Sequence, residues 1–340
     1  MTTAPASAPS PAFTLARGGG AVIALGTLAL AFAWHIAVGA KTIPLGAVFT
    51  ALFRYDPQVF DHVVIRDLRL PRAIFGVLVG AALSTAGALM QGVTRNPLAE
   101  PGLLGLLSGA SFAVVMAVGV FDLAAPAWLP LIAAVGALGA ASVVWLIAIS
   151  APGGATPLTL ILSGAAVTAF LAALISIANL IDEDSFESLR VWLTGTLAGR
   201  PVEVMLWTLP WLAAGLILSL TVARQVTALA MGDETATGLG VDVTRLKTLV
   251  LIAVVALTAS AVSIAGPMGF VGLVVPHVVR LIAGYDYRVI VPLSAILGAT
   301  FLLLADIAAR LVLAPVEVST GIVTALLGAP FFVWLIRARL

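Results

Sequence analysis

Residues 70–92 read LPRAIFGVLVGAALSTAGALMQG, a run in which Arg72 is the one charged side chain. A helix needs roughly 20 apolar residues to cross the hydrocarbon core of a bilayer. The run lacks the strict alternation of apolar and polar residues that marks a membrane β-barrel strand. It therefore predicts a transmembrane helix.

The composition of the whole chain agrees with this run. Of its 340 residues, 61% are hydrophobic and 10% are charged, and the mean hydropathy is +1.15. Soluble domains carry about 25% charged residues, so membrane lipid must solvate much of this exterior. In lipid, only helices and closed barrels satisfy the backbone. The sequence therefore predicts an all-α integral membrane protein.

The apolar runs form a single transmembrane domain over residues 19–340. A tail over residues 1–18, rich in Ala, Pro and Ser, is predicted to be disordered. A cleaved signal peptide is the alternative reading of the first run, which is longer than a usual signal core. Residues 45–53 predict a short surface helix between the first two spans. The ten candidate spans are 20–40, 70–92, 103–121, 127–149, 157–181, 203–223, 245–265, 270–284 (the shortest), 289–308 and 318–337.

An even number of spans places both termini on one side of the membrane. The basic residues divide almost evenly between the two sides, with a small excess on the side of the termini. The positive-inside rule then predicts that both termini are cytoplasmic.

A weak internal repeat relates residues 69–101 to residues 245–277, at an offset close to 176. Each unit is a span, a Gly/Pro break and a shorter span. Five spans separate the two starts, so the units cross the membrane in opposite senses. Inverted repeats of this kind are typical of transporters.

Several kinds of chemistry are excluded by missing residues. A P-loop needs a Gly-Lys pair, but the two lysines, Lys41 and Lys247, follow Ala and Leu. The three histidines, His35, His62 and His277, lack metal-ligand spacing, and cysteine is absent. The net charge of +1 gives no reason to expect nucleic acid. No catalytic residue, metal site or cofactor is predicted.

Six motifs, taken in order, resemble the FecCD family of permeases. They are RLPR at 69–72, NPLAEPGLLG at 96–105, GDETATGLGV at 232–241, AGPMGFVGLVVPH at 265–277, LADIAAR at 304–310 and GAPFF at 328–332. This family serves ATP-driven importers of ferric siderophores, haem and cobalamin. The chain departs from the family at residues 316–321, where the usual proline before the last helix is missing.

The resemblance implies an ABC importer type II permease fold in the bacterial cytoplasmic (inner) membrane. Its implied partners are a second permease subunit (identical or a sister chain), two ATP-binding subunits and an extracytoplasmic substrate-binding protein. ATP hydrolysis would occur in those partners, so this chain is not expected to be an enzyme. An iron(III)–siderophore is the first expectation for the cargo, with haem or cobalamin as alternatives.

The resemblance also assigns roles to three groups of residues. A coupling segment over residues 228–243 would contact the ATPase through Gly232, Asp233, Glu234, Ala236, Leu239 and Gly240. Docking of the binding protein would use Arg69, Arg72 and Arg310, for which lipid-headgroup anchoring is the alternative. The translocation path and its gate would include Thr156, Pro157, Leu158, Thr159, Ser163, Gly164 and Thr168, although small residues also serve helix packing.

A rival function is an ion-coupled secondary transporter, which usually buries several ionisable groups near the midplane. Here the clear case is Asp306, and Arg310 lies four residues later on the same helix face. An internal ion pair is therefore favoured over a proton relay. A membrane-embedded enzyme would need a cluster of His, Asp or Glu, which the sequence does not show.

Overall fold

A computed structural model describes residues 11–39, 43–102, 104–123, 125, 127–152, 156–181 and 189–339. Within these ranges the chain is helical and contains no β-strand. The helices are α1 Pro11–Ala37, α2 Leu45–Phe53, α3 Phe60–Thr94, α4 Leu106–Val120, α5 Leu129–Ser150, α6 Pro157–Ile181, α7 Val202–Ala230, α8 Asp233–Gly238, α9 Val243–Ala265, α10 Val271–Ala283, α11 Tyr287–Leu311 and α12 Thr320–Arg339.

Each of the ten predicted spans corresponds to one helix, and the surface helix predicted at residues 45–53 is α2. Among the described residues, seven helices are long and apolar enough to cross a membrane, whereas α4, α10 and α12 contribute shorter apolar stretches. The prediction of about ten transmembrane helices is therefore confirmed in outline, because the seven long helices and the three shorter ones together make ten. Helices α4 and α10 are short because each follows a non-helical Gly/Pro segment, which takes residues away from the helix.

The predicted tail over residues 1–18 needs a correction. Residues 1–10 lie outside the described residues, but α1 already begins at Pro11. Proline suits the first position of a helix because its missing N–H has no partner there in any case. The Pro-rich composition was a poor guide to where the helix begins.

Helix α3 forms the centre of the bundle. Of its most apolar window, 78% is buried, compared with 17% for the peripheral helix α6. Gly80 packs directly against the backbone of Gly298, and Gly87 packs against the backbone of Gly272. Small residues allow membrane helices to approach this closely.

The two repeat units pack against each other with their long helices antiparallel. The Gln91 side chain near the end of α3 donates a hydrogen bond to the Gly272 carbonyl oxygen at 3.1 Å. The backbone N–H of Phe270 donates to Glu100 Oε2 at 3.0 Å. The break that follows α3 thus contacts the break that follows α9. Neither the side chain of Asn179 nor the acidic cluster at 182–187 belongs to the described part of the chain.

The bundle has two polar ends. One, the α8 end, contains α8, the end of α3 and the start of α9. The other, the arginine end, contains the end of α1, the start of α3, the end of α11 and the start of α12. This division places the predicted coupling residues and the predicted docking residues at opposite ends.

Candidate functional site

A charged pocket of about 390 Å³ opens at the arginine end. It lies between the starts of α3 and α7 and the end of α11. We call it the arginine pocket, and its charged lining residues are Asp67, Arg69, Arg72, Arg200, Arg310 and Glu317. All three arginines predicted for docking are therefore brought together, although Arg310 lies 238 residues after Arg72 in the sequence.

The carboxylate behind the pocket is that of Asp306, which is completely buried. Arg72 holds it in a bidentate pair, with Nε 2.9 Å from Oδ2 and Nη2 3.0 Å from Oδ1. His35 Nε2 lies 2.8 Å from Oδ2, and the Thr320 hydroxyl donates to Oδ1 at 2.6 Å. The predicted pair with Arg310 is confirmed, but at 3.4 Å it is the longest of these contacts.

Arg69 and Arg310 also satisfy the free backbone carbonyls at the end of α1. Arg69 Nη1 donates to the carbonyl oxygens of Ile36 and Ala37, each at 2.8 Å. Arg310 donates to those of His35 and Val38, at 3.1 and 2.7 Å. The last carbonyls of a helix lack partners within it, so these guanidinium groups hold α1 in place. Such burial argues against a role in lipid-headgroup anchoring.

Arg200 is a pocket residue that sequence reasoning noted only as one of several basic residues on the outer side. It lies in the loop before α7 and donates to the Thr196 carbonyl oxygen at 3.2 Å. Burial lowers its pKa to about 10. Within the described ranges it forms no ion pair with a carboxylate, so it is the pocket cation best placed to receive an acidic group.

At the opposite end, α8 is fixed by charge pairs on both sides. Asp233 contacts Arg95 Nη2 and Lys247 Nζ, each at 2.9 Å. The hydrogen bond from Lys247, helped by the charge of Arg95, lowers the pKa of Asp233 below its usual range. The carboxylate is therefore ionised at neutral pH and ties α8 to the end of α3 and the start of α9.

Helix α8 has one buried residue, and most of its other residues are exposed. Ala236 is fully buried against the bundle, whereas Glu234 is exposed and Leu239 is 65% exposed. Gly232 and Gly240 flank the helix with φ of 129° and 80°, a region that side chains rarely adopt. The six predicted coupling residues therefore form a short, fixed projection with an apolar tip.

The residues predicted for the path and gate divide between two environments. Thr156 and Thr159 bond each other at the start of α6, where the Thr156 N–H donates to Thr159 Oγ1 at 2.8 Å. Leu158 is 66% exposed. The rest lie on the packed side: Ser163 and Gly164 are buried, and Thr168 accepts a hydrogen bond from Ser108 at 3.2 Å. The side chain of Pro157 is not among the described ones.

Membrane-length helices, antiparallel repeat units and charged groups gathered at the two ends are the architecture of a polytopic membrane transport protein. Comparison with known families makes this specific. Residues 27–338 match the model of the FecCD transport family. The chain belongs to this family and is the membrane permease of an ABC importer.

The chain is similar to several curated relatives over most of its length. It is 44% identical to the iron(3+)-hydroxamate import system permease protein FhuB of Bacillus subtilis, covering 89% of this chain and 78% of the relative. It is 39% identical to the Fe(3+)-citrate import system permease protein YfmD of the same organism, covering 93% of each.

A solved structure has the same fold. It is described as an inward-facing conformation of a metal-chelate type ABC transporter, with a TM-score of 0.77 and 28% identity. The match covers 95% of this chain and 98% of the other. The predicted type II permease fold is thereby confirmed.

Proposed function

We propose that this chain carries an iron(III)–siderophore complex across the bacterial cytoplasmic membrane as the permease of an ATP-driven importer. The observation that carries the substrate class is the similarity to permeases for iron(3+)-hydroxamate and Fe(3+)-citrate. Cobalamin is the second candidate, because a cobalamin import system permease protein of Halobacterium salinarum is 38% identical over 87% of this chain.

A second permease subunit is part of the proposal, and helix α12 supports it. One face of α12 borders an open apolar cavity of about 860 Å³, lined by Ile322, Leu326, Ala329 and Val333 among others. Exposed apolar residues also lie on α6, for example Leu158 and Leu162. Two such chains would enclose the path between them, with Thr156 to Thr159 at its gate, and Ser163, Gly164 and Thr168 packing the path helix.

At the α8 end, two ATP-binding subunits would dock in the cytoplasm. The proposed contact is the projection formed by residues 232–240, because it is exposed, apolar at Leu239 and fixed to two long helices through Asp233. Movement in an ATPase would therefore reach α3 and α9 directly. On this assignment both termini are cytoplasmic.

At the arginine end, an extracytoplasmic binding protein would insert acidic side chains into the arginine pocket. Four guanidinium groups line it, against the carboxylates of Asp67 and Glu317. Arg–carboxylate pairs are directional and can be bidentate, which fixes the docking register. Since Arg69, Arg72 and Arg310 already bind internal partners, Arg200 is the group expected to meet the incoming carboxylate first.

Transport is tested by placing the chain in proteoliposomes with its ATP-binding subunits and binding protein. We expect uptake of a radiolabelled iron(III)–hydroxamate chelate that requires ATP and survives a protonophore. Uptake that collapses with the protonophore and persists without the ATPase would establish ion-coupled transport instead. Uptake of cobalamin or haem, without any transport of the iron chelate, would show that the substrate belongs to another class.

Docking is tested separately by the substitution Arg200→Glu. We expect the affinity for the binding protein to fall at least about tenfold, because a carboxylate would then face a carboxylate in a half-buried pocket. The measurement is a Kd by surface plasmon resonance on the detergent-solubilised transporter.

The matched control for docking is Arg54→Glu, which reverses an exposed charge that follows α2 and does not line the pocket. This control should leave the Kd unchanged. Equal effects of the two substitutions would show that general charge, and not the arginine pocket, governs docking.

A further inference from the structure

One carboxylate joins the arginine pocket to helix α12. We propose that Asp306 is a positioning residue that transmits occupancy of the pocket to α12 through the Thr320 hydroxyl. The inference rests on the proposed docking function and adds to it a route by which the docked state reaches the helix that borders the large apolar cavity.

The geometry of the route lies in how the two oxygens of Asp306 are shared. Oδ1 accepts both from Arg72 Nη2, at 3.0 Å, and from the Thr320 hydroxyl, at 2.6 Å. Oδ2 accepts from Arg72 Nε at 2.9 Å and lies 2.8 Å from His35 Nε2. Any displacement of the Arg72 guanidinium therefore changes the environment of the same oxygen that Thr320 binds.

The Arg72 side chain spans the boundary between the buried network and the pocket. Its Nη1 donates to Glu317 Oε2 at 2.7 Å, and Glu317 is 40% exposed. Nε and Nη2 face the opposite way, toward buried Asp306. A carboxylate entering the pocket competes with Glu317 for Arg72, and a planar guanidinium cannot rotate toward one partner without turning its other edge.

Thr320 is the first residue of α12, so its hydroxyl acts on the position of the helix start. Two other contacts hold the same turn: the Gly321 N–H donates to the Gly195 carbonyl oxygen at 2.8 Å, and the Thr194 hydroxyl donates to Ser319 Oγ at 2.6 Å. Of the three, the bond to Asp306 is the one made to a charged group. Such bonds are about twice as strong as neutral ones.

Occupancy of the arginine pocket can shift α12 only if the docked carboxylate favours one of two arrangements of Arg72. In one arrangement the guanidinium is held against Asp306, and in the other it is turned toward the pocket. That condition is met because the incoming group can bind Arg72 only from the pocket side, where Glu317 now lies. Docking thus weakens the grip of Arg72 on Asp306 and loosens the start of α12. Helix α12 can then shift along the face that borders the apolar cavity.

The decisive variant is Thr320→Val, which removes the hydroxyl and keeps the shape. In the assembled transporter, we expect it to leave the Kd for the binding protein within about twofold of wild type. It should reduce the stimulation of ATP hydrolysis by the loaded binding protein about tenfold, the expected effect of losing a hydrogen bond to a charged group. Thr320→Ser, which keeps the hydroxyl, should restore the stimulation.

A matched control lies one turn further along the same helix. Thr324 is also fully buried, but its hydroxyl donates to the Gly321 carbonyl oxygen within α12. Thr324→Val should therefore leave both the Kd and the stimulation unchanged.

Three results would overturn the proposal: wild-type stimulation in Thr320→Val, equal losses in the two valine variants, or an affinity for the binding protein and a thermal midpoint that fall together with the stimulation. The last would show a purely structural bond. Failure of docking itself has a different signature, which is an unchanged Kd in Arg200→Glu.

Discussion

Replacing Leu239 by glutamate is expected to release the ATP-binding subunits and to abolish ATP-dependent uptake. Leu239 is 65% exposed at the tip of the α8 projection. If it inserts into an apolar cleft of the ATPase, a carboxylate there would be buried without a partner, which costs several kcal/mol and lowers affinity about a hundredfold or more. Co-purification of the ATPase with the tagged permease measures the loss.

Leu313→Glu is the control, because Leu313 is 60% exposed but follows α11 at the arginine end. It should leave the ATPase bound. An intact complex with Leu239→Glu would exclude the α8 projection as the main contact, whatever the transport activity. Loss of the complex in both variants would point to a general effect of adding a charge.

The second large effect is on folding, from the substitution Gly87→Ala. A methyl group at this position would collide with the backbone of Gly272, which cannot move aside as the end of a flexible side chain can. Overpacking of a core typically costs about 1–3 kcal/mol and occasionally more, and we expect the upper end here. The thermal midpoint in detergent and the yield of folded protein should both fall.

Gly139→Ala supplies the comparison, since nothing lies within 4 Å of the added methyl group. Both glycines are within helices, and alanine is the better helix former by about 1 kcal/mol. Gly139→Ala should therefore be neutral or stabilising. A midpoint for Gly87→Ala equal to that of the control would show that α3 and the start of α10 are packed less tightly than the structure has them.

Much of the architecture was predictable because it depends on local composition. The position of each helix follows from a run of apolar residues, and the surface helix at 45–53 was predicted with its exact bounds. Lengths were less predictable. The span at 270–284 was expected to be the shortest and α10 is indeed short, but the sequence alone did not reveal that α4 is also shorter than a full span.

The arginine pocket shows where sequence reasoning stops. The three arginines were expected to face a partner protein, but Arg69 and Arg310 are directed at carbonyls of α1, and Arg72 is directed at Asp306. The contributions of His35 and Arg200 were missed. Only the departure at residues 316–321 drew attention to the start of α12, and nothing local indicated that Thr320 binds Asp306.

The sequence by itself determined that lipid is the solvent of this chain, because a chain with so few charges cannot be covered by water. It also determined that helices fill the bilayer, since the backbone has no other partner there. Only the tertiary structure decided which polar groups meet. Asp306 lies 271 residues from His35 and 234 from Arg72, and a charge within the bundle takes the partner that packing brings to it.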